Sequence, residues 1–429
     1  MQQNNPERSE QSTLPSLHAA HPPRTRVTSG IGVGALILFG LATAAFVASC
    51  GDSSPASTGP HLTQLDSAQV QAGKTIFRFS TFGDESFWTD TARLHEVIAK
   101  SVSPALALQV GLKVDADTLP QAVKDAIAAG QVDLTSPATT VTLLKLGAVV
   151  GVKGTVQTVN GKDSLVSVGI TCAFCHSTVD NSFAPGIGHR LDGFPNHDLN
   201  VGAIVALSPA ISPATKAILQ SWGPGKYDAR TNIDGKNDPA VIPPAYGLNG
   251  VAKEIYTGDD TISYWNAYVA ITQMHGHGTF VDPRLGISIH NGAEQVAPLL
   301  PALLQYQLSL RAPAAPAGSF DAAAAARGKA LFDGVAKCST CHVGSLYTDI
   351  NEGKLHTPAE VGQSVEFAQR SVTGKYRTTP LRGLQQHPPY FHDGSAATLD
   401  DVVAHYNTLM NLGLTTQQKA DLVQYLKTL

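Results

Sequence analysis

Two copies of the pattern Cys-x-x-Cys-His constrain this chain more than anything else in it. One is Cys172-Ala173-Phe174-Cys175-His176 and the other is Cys338-Ser339-Thr340-Cys341-His342. They use four of the five cysteines, and the fifth, Cys50, follows an apolar run, so no thiol is left for a structural disulfide or a nucleophile. In each motif two thiols fall within one helical turn, where they can reach the two vinyl groups of one haem. The histidine that follows is placed to sit under the iron. Zinc would need four ligands gathered from two pairs that lie far apart, each with its own histidine. A thioredoxin-like disulfide does not require the trailing histidine and expects a βαβ setting. The expectation is two c-type haems, held covalently by Cys172, Cys175, Cys338 and Cys341, with His176 and His342 as proximal iron ligands.

The N-terminus reads as an address. Residues 1–30 are polar and carry Arg24 and Arg26, and Ile31 to Ser49 are almost wholly apolar or small. Val47-Ala48-Ser49-Cys50 resembles the lipobox of bacterial lipoproteins, which would make Cys50 the lipidated first residue of the mature chain. The alternative for residues 1–50 is an uncleaved membrane anchor. Gly51 after the cysteine favours outer-membrane sorting, and residues 51–61 then form a tether. Either reading puts the remainder outside the cytoplasmic membrane, in the periplasm, where c-type haem is attached.

The chain beyond the tether divides at Ala312-Pro313-Ala314-Ala315-Pro316, a linker over 312–319. The expected organisation is an N-terminal haem domain over 62–311 and a C-terminal cytochrome c domain over 320–429. The fold class is mainly α: two cytochrome c-like haem domains, the first loop-rich with a β-hairpin before its haem motif. Residues 84–100 read as an amphipathic helix. Residues 148–170, with Asn160-Gly161 between alternating segments, predict a hairpin with a type I′ turn. Residues 177–260, rich in Gly, Pro, Asn and Asp, predict long ordered loops. Helices are expected over 120–129, 261–274, 294–310, 321–334 and 415–429. The formal net charge is −4 and no run of Lys or Arg stands out, so nucleic acid is excluded as a partner and a basic redox partner protein suits the surface.

Residues 376–407, YRTTPLRGLQQHPPYFHDGSAATLDDVVAHYN, resemble the C-terminal signature of the bacterial di-haem cytochrome c peroxidase/MauG family, with PYFHDGS and TLDDVV as the specific parts. The resemblance covers roughly residues 320–429. It implies that Cys338, Cys341 and His342 hold the family's second haem, that Arg382 lies near it at a propionate, and that His392 lines its pocket. The family's distal-ligand position falls at Tyr406, where MauG-type members also carry a tyrosine. In the first domain, TFGDESFWTDT and GIGHRLDGFPNHDLNVG are similar instead to a different group of bacterial di-haem c-type cytochromes.

What faces each iron across from its histidine separates electron transfer from chemistry. Besides Met1 the chain has only Met274 and Met410, one in each domain. Met410 competes with Tyr406 for the second haem. For the first, Met274, His275 and His277 form a Gly-flanked cluster, with His95, His189 and His197 as further histidines; core packing or a loop hydrogen bond is the alternative for each. Trp88, Trp222 and Trp265 are either relays between haems or core residues. Two closed irons make the chain an electron carrier, the leading expectation. One open iron makes it a di-haem peroxidase or MauG-like oxidase. A purely structural lipoprotein leaves both motifs without a purpose.

Overall fold

Asp66 caps the helix Ser67–Phe79 by accepting from the Gln69 N–H at 2.8 Å, and the helix packs on Leu300–Ser309, far downstream. A computed structural model describes residues 62–429; the export signal, Cys50 and the tether lie outside the described residues. The two helices cross at Gly73. A Cβ there would fall 2.7 Å from Cβ of Tyr306, and closer still to the carbonyl oxygen of Ala302. Only a glycine permits that approach. One turn on, Phe77 meets Tyr306 edge to face at 5.4 Å, and both are buried in the largest core cluster with Trp265, Tyr268, Ile271 and Met274.

The same arrangement recurs near the C-terminus. The helix Ala322–Asp333 packs on Thr416–Leu426, and a Cβ on Gly328 would lie 2.8 Å from Cβ of Tyr425, again closer to a carbonyl, that of Asp421. Phe332 meets Tyr425 edge to face at 5.2 Å. Arg327 clamps Asp421 with two bonds of 2.7 and 2.8 Å. The sequence carries the parallel openly: Gly73-Lys74-Thr75-Ile76-Phe77 against Gly328-Lys329-Ala330-Leu331-Phe332. In the C-terminal pair the Cys338–His342 motif follows the helix almost at once. In the N-terminal pair residues 80–171 come between.

Those intervening residues build a wall. Val152–Val159 pairs antiparallel with Lys162–Ile170, joined through Asn160 and Gly161, both at positive φ, with a bulge at Thr155/Val156. The second strand leads directly to Cys172, and the Thr171 N–H donates to the Gly151 carbonyl at 3.0 Å. The helix expected over 84–100 is instead two pieces. Ser86–Thr91 is a π-helical turn, and Leu94–Ser101 starts afresh after Arg93, which sits at φ 56°. The break lets Arg93 clamp Glu96 with three hydrogen bonds of 2.9–3.0 Å. Likewise Ile262–Tyr268 passes into a π-helical stretch, Val269–Gln273. Residues 177–260 contain only short helices and strands, and 312–319 contain neither. The chain is mainly α, about 41% helix against 13% strand, and the described residues 62–429 form one compact unit. No helix among the described residues is long and apolar enough to cross a membrane.

Candidate haem-binding sites

Cys172 caps the short helix Ala173–His176, so the motif is one helical turn, as the spacing requires. Both its thiols are free, and burial pushes each up to about 12. The His176 ring donates through Nδ1 to the Pro243 carbonyl at 3.1 Å, and burial pulls its pKa down to about 4. A neutral imidazole anchored at Nδ1 leaves Nε2 as a lone-pair donor of fixed direction, the form a metal takes. Behind the motif, Asp192 gathers Ser177 Oγ at 2.7 Å, Tyr306 Oη at 2.5 Å and Arg78 Nε at 2.5 Å. One buried carboxylate thus ties the motif to both crossing helices.

The second motif is built on the same plan. Cys338–Thr340 is a 3-10 turn, and Cys338 and Cys341 are free. The His342 ring donates through Nδ1 to the Tyr347 carbonyl at 2.9 Å, and burial lowers its pKa. Tyr347 also shares a hydroxyl contact of 3.1 Å with Tyr425, so the anchoring loop rests on the last helix.

Each motif opens on its own cavity. The first, of about 760 Å³, is lined by Cys172, Cys175 and His176, the hairpin residues Val152, Val168 and Ile170, the two π-helical segments through Trp88, Gln273 and Met274, and the loop Pro243–Pro244. The second, of about 410 Å³, is lined by Cys338, Cys341, His342, Arg382, His392, Tyr406 and Met410. Both volumes lie in the range of about 300–1,000 Å³ usual for cofactor sites. Paired free thiols, an anchored neutral imidazole and a largely apolar cavity of this size fit a covalently held haem at each motif.

The distal candidates separate cleanly. Met274 lines the first cavity, but His275 and His277 do not. His275 stacks on Phe87 at 3.5 Å, and burial lowers its pKa to about 4. His277 is held by Ser86 at 3.2 Å and Gln295 at 3.1 Å. His275 sits at φ 64°, and both rings are engaged by these neighbours and lie outside the lining of the first cavity. His189 pairs with Asp117 at 2.8 Å on the surface, and His197 meets the Ile242 carbonyl at 3.1 Å. Tyr406 and Met410 lie one turn apart, at the end of Leu399–Leu409, and both reach the second cavity. Burial pushes the Tyr406 phenol up to about 12, with the Cys341 and Cys338 sulfurs adding to the shift. Trp88 and Trp265 line the first cavity, whereas Trp222 packs beside Leu219 and donates to Asn237 at 2.8 Å. None of the three lines the second cavity.

Arg382 donates to the Gly247 carbonyl at 2.9 Å. The His392 ring bonds Gln363 at 2.8 Å through Nδ1, while its buried Nε2 has no partner among the described residues. Three groups were not legible beforehand. Glu254 lines the first cavity, accepts from the Ile262 N–H at 2.8 Å, and is raised by burial to about 7. Asp84 is fully buried beside the hairpin, accepts from the Ile170 N–H, and is raised by burial to about 9. Finally, Tyr256 and Arg377 line both cavities, together with Pro243, Pro244 and Leu248.

The cytochrome-c peroxidase of Denitromonas iodatirespirans is 31% identical over 151 residues, covering 25% of this chain and 40% of the relative. The methylamine utilization protein MauG of Methylorubrum extorquens is 32% identical over 121 residues, covering 24% and 34%. The chain is similar to the di-haem cytochrome c peroxidase/MauG family. It spans about 40% or less of the length of these curated relatives. A cytochrome-c peroxidase of Pseudomonas sp. strain SCT adds 30% identity over 146 residues. Among solved structures, hydrazine synthase of Kuenenia stuttgartiensis gives a TM-score of 0.32 at 19% identity, covering 45% of this chain and 73% of that one. A MauG-like protein associated with microbial copper homeostasis gives 0.30 at 19%, covering 44% and 72%. No family model matches the chain.

Proposed function

We propose that this chain is a di-haem c-type cytochrome that works as an oxidoreductase of the peroxidase/MauG type. One haem is held at Cys172, Cys175 and His176 and the other at Cys338, Cys341 and His342, in two cytochrome c-like halves, 62–311 and 320–429. The observation that carries the reading is the repeated site: a motif whose histidine is anchored through Nδ1, opening on a cavity, beside a glycine-crossed helix pair, with one wall common to both cavities. The haems supply the redox chemistry when bound. The protein's own groups differ between the halves, and that difference assigns roles.

In the first cavity Glu254 is a carboxyl poised near neutrality, suited to take and return a proton. In the second, Tyr406 or Met410, which both line the cavity, would supply a further ligand to a bound haem. Substrate chemistry therefore belongs to the first half and electron storage to the second, with a periplasmic redox protein as partner. The electron-carrier reading is favoured by Met274, which reaches the first cavity from the core. Optical and EPR spectra of the purified protein separate the two. A high-spin haem that binds CO and reacts with peroxide is the expected result. Two low-spin haems with no CO binding after partial reduction would leave the carrier.

A further inference from the structure

Arg377 occupies an unusual position. It lines both cavities, on the wall that also carries Pro243, Pro244 and Tyr256. Its guanidinium is spent on carbonyls alone: Nε to Ile255 at 2.8 Å, Nη2 to Glu254 at 2.9 Å and Nη1 to Thr378 at 3.3 Å. Five N–H groups less three leave two, one on each Nη.

Three other arginines among the described residues are each paired with a carboxylate. Arg190 meets Asp115 at 2.9 Å, Arg230 meets Asp259 at 2.8 Å, and Arg370 meets Asp228 at 2.8 Å. Among the described residues Arg377 has none within ion-pair reach. Arg382, five residues further on, also lacks one, yet it lines only the second cavity. The Glu254 carboxyl acts on Arg377 through space without forming an ion pair, and three carbonyl dipoles offset the cost of a cation in this wall only in part. The wall is built for negative charge arriving from the cavities.

We propose that Arg377 is a carboxylate site shared by the two haem cavities, taking a propionate from the haem in each and so placing one positive charge under the control of both. This rests on the di-haem reading above. The consequence is electrical. A cation close to a haem stabilises its reduced, less positive state, so a shared cation raises both potentials.

The test is spectroelectrochemical titration of the full-length holoprotein, with covalent haem counted by intact mass. Wild type, R377Q, R377K and R382Q are compared. For R377Q both midpoint potentials should fall, and for R377K both should move in the same direction by less, because an ammonium cannot offer a planar fork to two carboxylates. R382Q should move the second haem's potential alone. If either Arg377 variant carries two haems and only one potential moves, or neither does, the shared site is wrong while the di-haem reading stands. Should R377Q fail to mature, R377K alone decides by the same criterion. A wild-type protein with fewer than two covalent haems overturns both.

Discussion

Replacing Gly328 by alanine tests whether the C-terminal helix pair crosses as closely as described. The added methyl meets the Asp421 carbonyl and, at 2.8 Å, Cβ of Tyr425. The first obstacle is backbone, so no side-chain rotation relieves it, and the helices must part. Parting them loosens Phe332 against Tyr425 and strains the Arg327–Asp421 clamp. Overpacking of this kind costs about 3 kcal/mol. Alanine's better helix propensity returns about 1 kcal/mol, leaving a net loss of about 2 kcal/mol. With a urea slope of about 3 kcal/mol/M, the unfolding midpoint should drop by roughly 0.7 M. Far-UV circular dichroism reports the unfolding, and Soret absorbance reports the haem environment. Gly73→Ala, facing Ala302 and Tyr306, should behave alike, and the two losses should add because the sites share no partner. An alanine variant as stable as the wild type would show that the helices do not meet at the glycine.

Three further outcomes follow from the sites. Tyr406→Phe should change the second haem's spectrum if the phenol faces the iron, and Met410→Leu should change it if the thioether does; two unchanged spectra would remove both from the distal side. Because burial raises Glu254 to about 7, a rate that needs its carboxylate should climb as pH rises through about 7, and E254Q should flatten that limb; an identical limb in the variant excludes Glu254 as the titrating group. Asp84 holds its proton in the folded protein up to about pH 9, whereas an unfolded aspartate releases it near pH 3.9. The folded state thus binds more protons in that window, and stability falls as pH rises across it. D84N should reduce this fall in urea titrations at pH 5 and pH 8, and equal slopes in both proteins would refute the assignment.

What was legible was local. Asn160-Gly161 states its turn in two residues, and each C-x-x-C-H motif is a single turn whose histidine ring is fixed by a backbone carbonyl. What escaped was of two kinds. The anchors of His176 and His342 are the backbone carbonyls of Pro243 and Tyr347, and a carbonyl leaves no mark on residue identity. Glu254, Asp84 and Arg377 are ordinary residues whose meaning comes from burial and from which cavity they face. The histidines at 275 and 277 read as a ligand pair by their spacing, but the turn at His275 delivers them to Phe87, Ser86 and Gln295. The helix over 84–100 kept its amphipathic pattern and still broke, because periodicity does not register a left-handed residue such as Arg93. The Gly-Lys-x-x-Phe repeat was present in the letters, yet at Gly73 it stands far from its haem motif, so nothing in the sequence joined the two.

The sequence separation between each glycine helix and its partner bears on the order in which the two crossings form. The C-terminal crossing closes over a separation of 94 residues, from Arg327 to Asp421. The N-terminal crossing closes over 239, from Asp66 to Gln305. Chain-closure entropy alone makes the longer loop dearer by about 0.8 kcal/mol. The larger effect is temporal. A chain emerging N-terminus first exposes the Ser67–Phe79 helix early but cannot seat it until residue 309 has appeared. For all that interval Phe77 and its neighbours have no permanent partner. The segment carrying Cys172 and Cys175 is therefore complete well before the helix pair behind it can close.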